Sequence, residues 1–232
     1  MRVKPSNNKP SSIPICDKVS QNAKCFEEGL DPNLRRQNGV HFSSEALILN
    51  LIGALFLAEL TQELEHKRSS PCELLKLQDK IASVHILDPA SGCGNFLIYS
   101  YKALRELEFE ILKSLSPLLQ AQGDNITALR SKISLSQFSG MERDKRACDL
   151  AQISLFQSKQ LFDELLEQYF INQSVLLDTC DRAQIYCGNA LALDWSRFFS
   201  SNQLSYIVGN PPYIGARLMS PSQKEELRSV FS

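Results

Sequence analysis

Asn210-Pro211-Pro212-Tyr213 concentrates more potential chemistry than any other tetrapeptide in this sequence. The Asn210 side-chain oxygen and the Pro211 carbonyl are two hydrogen-bond acceptors one residue apart. Consecutive prolines hold the backbone near φ of about −65° and keep such acceptors placed without reordering at each turnover. Two fixed acceptors suit an amine on a planar heteroaromatic ring. By taking both hydrogens they rotate and pyramidalise the nitrogen, which frees a lone pair otherwise delocalised into the ring. Tyr213 adds an aromatic face on which a planar base can stack. A strong general base is unnecessary, because an amine made cationic sheds its proton readily. For the tetrapeptide alone, a surface turn is the plain alternative, since Asn-Pro and Pro-Pro are loop signals.

Two further clusters carry chemistry. Asp88-Pro89-Ala90-Ser91-Gly92-Cys93-Gly94-Asn95-Phe96 puts two glycines between an apolar run and the start of a helical pattern. Glycine there permits backbone angles barred to other residues and close approach of a ligand to the main chain. The helix's first N–H groups then favour an anionic or electron-rich group. A dinucleotide fingerprint would need a third glycine where Leu97 stands, so that reading fails. Gly140-Met141-Glu142-Arg143-Asp144 follows a second apolar run. Glu142 is placed to accept hydrogen bonds from ribose hydroxyls, and Asp144 to start the next helix.

The elements that must position these residues follow from periodicity. Leu47, Ile48, Leu51, Ile52, Leu55 and Phe56 recur at helical spacing and predict a helix over 44–66, capped by Ser43 or Ser44. Residues 84–87 read as a buried parallel strand, 95–115 as a long helix, and 116–134, with Pro117 and Gly123, as loop with some helix. Strands are expected over 136–140, 184–187 and 205–208, and a helix over 145–169. Strands alternating with helices predict a parallel sheet with ligands beyond the carboxyl ends of its strands, where all the polar motifs fall. Residues 1–24, rich in Lys, Pro, Ser and Asn, read as a flexible tail.

Composition sets outer limits. A chain of 232 residues with 43% hydrophobic and 22% charged residues suits a soluble globular domain. The net charge of −1 gives no support to a basic nucleic-acid face, which is therefore local or carried elsewhere. Seven scattered cysteines without a C-x-x-C spacing argue against disulfide and zinc frameworks and predict reduced thiols in the cytoplasm. No continuous apolar run nears the ~18 residues of a membrane span.

The Asp88–Leu97 run resembles the first motif of adenine-specific DNA methyltransferases, with the small residues Ser91 and Cys93 in exchanged order. The resemblance implies that this loop embraces the methionine portion of S-adenosyl-L-methionine, with Asp88, Ala90, Gly92 and Gly94 as cofactor residues and Phe96 packing nearby. Gly188-Asn189 is similar to the third motif and implies that Asn189 meets the cofactor's adenine ring. Gly39-Val40-His41-Phe42-Ser43-Ser44 resembles the leading motif, with Phe42 for Tyr and Ser43 for Thr, and implies Ser43 near the cofactor's carboxylate. Asn210, Pro211, Pro212 and Tyr213 match the catalytic motif, used on a base drawn out of the duplex.

The pattern as a whole is closest to the fused restriction–modification enzymes typified by MmeI, from about residue 25 onward. It implies an α/β, Rossmann-like, partial class I methyltransferase fold, with 25–232 as the N-terminal part of the catalytic domain. Later core strands and a target recognition domain are expected to lie outside it. The expectations are adenine methylation in DNA by a fragment that needs its missing parts for activity, S-adenosyl-L-methionine as cofactor and no metal. DNA is the expected partner, together with a complementing chain that carries the recognition domain. Two alternatives stay open: a protein-glutamine or RNA methyltransferase acting on a planar nitrogen, and an inactive remnant or split-enzyme subunit.

Overall fold

The computed structural model describes residues 43–121, 129–170, 175–177, 181–197, 204–213, 215, 217 and 219–231. The expected tail over 1–24, and the residues up to 42, lie outside the described residues. The elements in chain order are α1 (Glu45–Lys67), α2 (Pro71–Ala82), β1 (Ile86–Asp88), α3 (Asn95–Ala121) and β2 (Leu129–Arg130). They continue with β3 (Phe138–Glu142), α4 (Lys145–Tyr169), β4 (Val175–Leu176), β5 (Gln184–Cys187), β6 (Tyr206–Ile207) and α5 (Pro221–Phe231).

α1 starts where its cap predicts: the Ser44 side chain accepts from Leu47 N–H at 3.4 Å. Ile48, Ile52, Phe56, Leu60 and Leu64 form a buried stripe at four-residue spacing, through a π-helical turn at Gly53–Leu57. Phe56 meets the Tyr206 ring at 5.1 Å, which fastens α1 over β6. Despite the lack of a continuous apolar run, α1 is long and apolar enough, by composition, to cross a membrane. Its buried stripe packs on α3 and β6, while Leu47, Leu49, Leu51 and Leu55 on its other faces are exposed.

The main sheet is parallel with strand order β5-β3-β1-β6. From β1 the chain passes through α3 to β3 and through α4 to β5, always outward on one side. β6 then pairs on the other side of β1, with Ile86 opposite Tyr206 and Leu87 opposite Ile207. The order therefore reverses between β1 and β6, and sheets of this kind bind ligands beyond the carboxyl ends of the strands at such a reversal. That is where the Gly loop and the double proline emerge.

Four features depart from the pattern reading. α2 was not expected, yet Ser70 caps it, Pro71 opens it, and Leu74, Leu77 and Ile81 are buried. α3 runs on through Pro117 to Ala121 instead of yielding to loop near 115. An internal proline costs roughly 3 kcal/mol, but Leu115 is buried and Leu118 and Leu119 pack on the core beyond it. Hydrophobic burial outweighs the lost backbone bond. A second parallel pair, β2 with β4, and helix α5 were likewise not anticipated.

Buried polar side chains hold the sheet in register. Glu108, 0% exposed on α3, accepts from Gln78 Nε2 (3.2 Å), Ser131 Oγ (2.8 Å), Lys132 N (2.6 Å) and Ile133 N (3.3 Å). Gln137 Nε2 donates to the Ile81 and Val84 carbonyls at 3.0 and 2.7 Å, which ties the entry of β3 to that of β1. Asp181 accepts from the backbone N–H groups of Leu135 and Ser136. Truncating Glu108 removes the acceptor used by Ser131 Oγ and by the Lys132 and Ile133 N–H groups, and leaves Arg105 with Asp163, at 2.9 Å, as its remaining carboxylate partner. Glu108→Ala is expected to lower stability by about 2–3 kcal/mol, read from urea unfolding; a loss under about 1 kcal/mol would show that this staple does not hold β3.

Candidate active site

Asp88 ends β1 and is 1% exposed. Its Oδ1 accepts from Ala90 N–H at 2.9 Å, so the strand end bends at once into the loop. The loop then leans on β3. Ser91 N–H donates to Met141 O at 3.0 Å, and Gly92 N–H donates to Glu142 Oε2 at 3.0 Å. Gly92 and Gly94 sit at φ of 52° and 87°, in the region that favours glycine. A Cβ on Gly94 would stand 3.0 Å from that of Ala151, so the loop also rests directly on α4. Ile98 N–H donates to Gly94 O at 2.8 Å and opens α3, while Phe96 is buried in the core.

Glu142 joins two strand ends. Its Oε1 accepts from Arg143 N–H (2.6 Å) and Asp144 N–H (2.9 Å), and its Oε2 holds the Gly loop. A carboxylate offers about four acceptor positions; three serve the backbone, which leaves one beside the loop. Asp144 caps α4 by accepting from Arg146 N–H at 2.8 Å, as its position in sequence predicts.

The electrostatics of Asp88 are unusual. Burial pushes its carboxyl from the ordinary acidic range up to about 7, and the neighbouring Glu142 charge adds to the rise against the opposing Ala90 hydrogen bond. Its Oδ2 is buried and has no hydrogen-bond partner among the described residues. A buried carboxylate oxygen without a partner is costly. A cationic group placed there would satisfy it and restore the charge.

The double-proline segment emerges next to this carboxyl. Val208 N–H donates to Leu87 O at 2.9 Å, which carries the β6 pairing to the end of β1. Gly209 follows at φ 151°, and a Cβ there would fall 2.4 Å from Asp88 Oδ1. The main chain and the carboxyl can meet only because position 209 has no side chain. Asn210 Nδ2 in turn donates to Ser43 Oγ at 3.2 Å. Asn210, Pro211 and Pro212 are exposed, and Tyr213 is 83% exposed. Ser43, Asp88 and Asn210 are thus brought together from three distant parts of the chain.

Asn189 lies at the same end of the sheet, after β5, and Gly188 N–H donates to Glu142 O at 2.8 Å. The Asn189 amide accepts from Leu191 N–H (3.1 Å) and donates to Glu226 Oε2 (3.0 Å) on α5, which also pairs with Arg143 at 3.5 Å. Glu226 escaped the sequence reading, because nothing in the polar pattern around Pro221 marks it as facing β5. A cavity of about 390 Å³ lies elsewhere, lined by Arg105, Arg130, Lys159 and Asp163 among others, and none of the residues just described lines it.

Comparison with known proteins identifies the family. The DNA-methyltransferase domain family of MmeI matches residues 62–232. "DNA methyltransferase A" of Bacillus subtilis (strain 168) is 32% identical over 196 residues, which is 83% of this chain and 22% of that protein. A solved structure of the Type IIL restriction–modification enzyme MmeI in complex with DNA superimposes with a TM-score of 0.80 at 32% identity. That match covers 91% of this chain and 28% of the MmeI chain. The chain therefore spans about a quarter of the length of these relatives.

The raised Asp88 carboxyl has a consequence for stability. Unfolded, it ionises near pH ~4; folded, it keeps its proton to about 7. Between those values the unfolded chain binds fewer protons, so stability falls as pH rises and stays low above the window. Asp88→Asn is expected to be more stable than wild type at pH 8 by on the order of 2 kcal/mol, with the gap closing at pH 4. Equal stability of the two proteins at pH 8, by urea unfolding without ligand, would contradict this.

Proposed function

This chain belongs to the DNA-methyltransferase domain family of MmeI, and we propose that it binds S-adenosyl-L-methionine and methylates the exocyclic amine of adenine in DNA. The observation that carries the reading is the seat of Gly209 on Asp88, which joins the Gly loop and the double proline in one crevice. When bound, the cofactor supplies an electrophilic methyl group on a sulfonium.

The chain's own residues divide the remaining work. Asp88 is suited to the ammonium of the cofactor's methionine portion, because its buried Oδ2 lacks a partner among the described residues and a cation would bring its carboxyl back to the ionised state. Ala90, Gly92 and Gly94 present backbone at the mouth of α3, and Phe96 anchors the loop in the core. Glu142 keeps one acceptor position for a ribose hydroxyl while it holds Gly92. Asn189, at the end of β5, is the residue proposed to meet the cofactor's adenine. The Ser43–Ser44 entry to α1 is proposed to receive its carboxylate.

On the substrate side, Asn210 Oδ1 and the Pro211 carbonyl accept the two hydrogens of the target amine. Its lone pair is then free to point at the methyl group. Pro211 and Pro212 hold this segment in place, so alignment costs little at each turnover. The exposed Tyr213 ring is available to stack on a base taken out of the duplex. Deprotonation of the product amine needs no dedicated base and proceeds to solvent. DNA as partner is supported by the relative named for DNA methylation and by the MmeI structure in complex with DNA. Selection of a target sequence is proposed for portions of those relatives that this chain does not span.

Calorimetric titration with S-adenosyl-L-methionine tests the division of labour. Asp88→Ala is expected to weaken binding at least tenfold, about 1.4 kcal/mol, while Asn210→Ala stays within about twofold of wild type. Equal losses in both variants would show that cofactor and base sites are not divided in this way.

A further inference from the structure

The cofactor side of the crevice also reaches the amide of Asn210. Gly209 is fixed by its contact with Asp88, and the residue before a proline is restricted to extended backbone. The Asn210 Cα–Cβ direction is therefore set, and what remains open is which end of the amide faces the substrate. The two ends are not equivalent. A target amine offers hydrogens, so Oδ1 toward it makes a bond and Nδ2 toward it places donor against donor. In the structure Nδ2 is turned away, onto Ser43 Oγ at 3.2 Å.

We infer that Ser43 is a positioning residue that sets the orientation of the Asn210 amide, and that an acceptor group of the bound cofactor makes this setting one-sided. A hydroxyl carries one hydrogen and two lone pairs, so alone it can accept from Nδ2 or donate to Oδ1. If its hydrogen is committed to a carboxylate, which only accepts, the lone pairs alone remain for Asn210. The amide must then present Nδ2 to Ser43 and Oδ1 to the target. Ser43 is well placed for this. It directly precedes Ser44, whose side chain and carbonyl are occupied by Leu47 N–H and Ile48 N–H at the start of α1. The Ser43 hydroxyl is not needed as a cap. The inference rests on the cofactor reading above and adds to it a link from cofactor occupancy to base-site polarity.

The test uses the full 232-residue chain, with asparagine and glycine labelled with nitrogen-15 and S-adenosylhomocysteine as probe, since it carries the same carboxylate. The Asn210 side-chain signals are assigned with Asn210→Asp, and the Gly92 and Gly94 signals report occupancy. At saturating probe, hydrogen exchange of the Asn210 Nδ2 protons is expected to slow at least threefold in wild type and in Ser43→Thr. In Ser43→Ala no slowing is expected, although the Gly92 and Gly94 signals still shift. Equal slowing in Ser43→Ala at equal occupancy would overturn the role of Ser43 and leave the cofactor reading intact. No shift at Gly92 and Gly94 in wild type would overturn the cofactor reading and this inference together.

Discussion

The site depends on one close contact, the Asp88 carboxyl against the main chain of Gly209. β1 and β6 are parallel neighbours, so the segments that follow them start side by side. Their ends converge only if nothing fills the space between them. Asp88 occupies that space from one side, and position 209 must be bare on the other. The result is a buried carboxyl with one oxygen unpartnered among the described residues and a proton held to about 7. Such a group raises the free energy of the empty protein. A cation that satisfies it recovers part of that cost, so local strain becomes affinity for a specific charge.

The scaffold's other polar groups make this contact reproducible. Glu108, Gln137 and Asp181 clamp the segment that enters β3, and β3 fixes β1 by pairing Asp88 with Gly140. Glu142, one step beyond, draws the Gly loop onto the same strand. Each is a side chain that pairs with backbone groups, a connection that hydrophobic packing alone cannot specify. Packing sets which faces are buried; these bonds set where the strands stop.

Much of this was legible in the sequence, and the reasons differ by element. α1 and α4 have long, clean helical periodicity, and the Ser44 and Asp144 caps mark their starts. The Gly loop and the double proline are compact motifs whose residue types state their chemistry. α2 was missed although Ser70 and Pro71 mark its start, because its apolar residues are few and follow α1 closely. Pro117 misled for the opposite reason: a strong local signal lost to burial of the leucines around it. The β2–β4 pair is two residues long on each side, too short for any period to show. The hydrogen bond between Ser43 and Asn210 spans 167 positions and has no local signature at all. It follows only from the strand order.

That the Gly turn and the double-proline turn share one crevice is therefore best tested from the side that does not belong to the cofactor loop. Gly209→Ala adds one methyl group, outside the Gly loop, at a point 2.4 Å from Asp88 Oδ1. Calorimetry on this variant, with circular dichroism to verify the fold, should show affinity for S-adenosyl-L-methionine reduced at least tenfold, about 1.4 kcal/mol. Wild-type affinity in the folded variant would mean that the two turns do not meet, and the shared crevice would have to be abandoned.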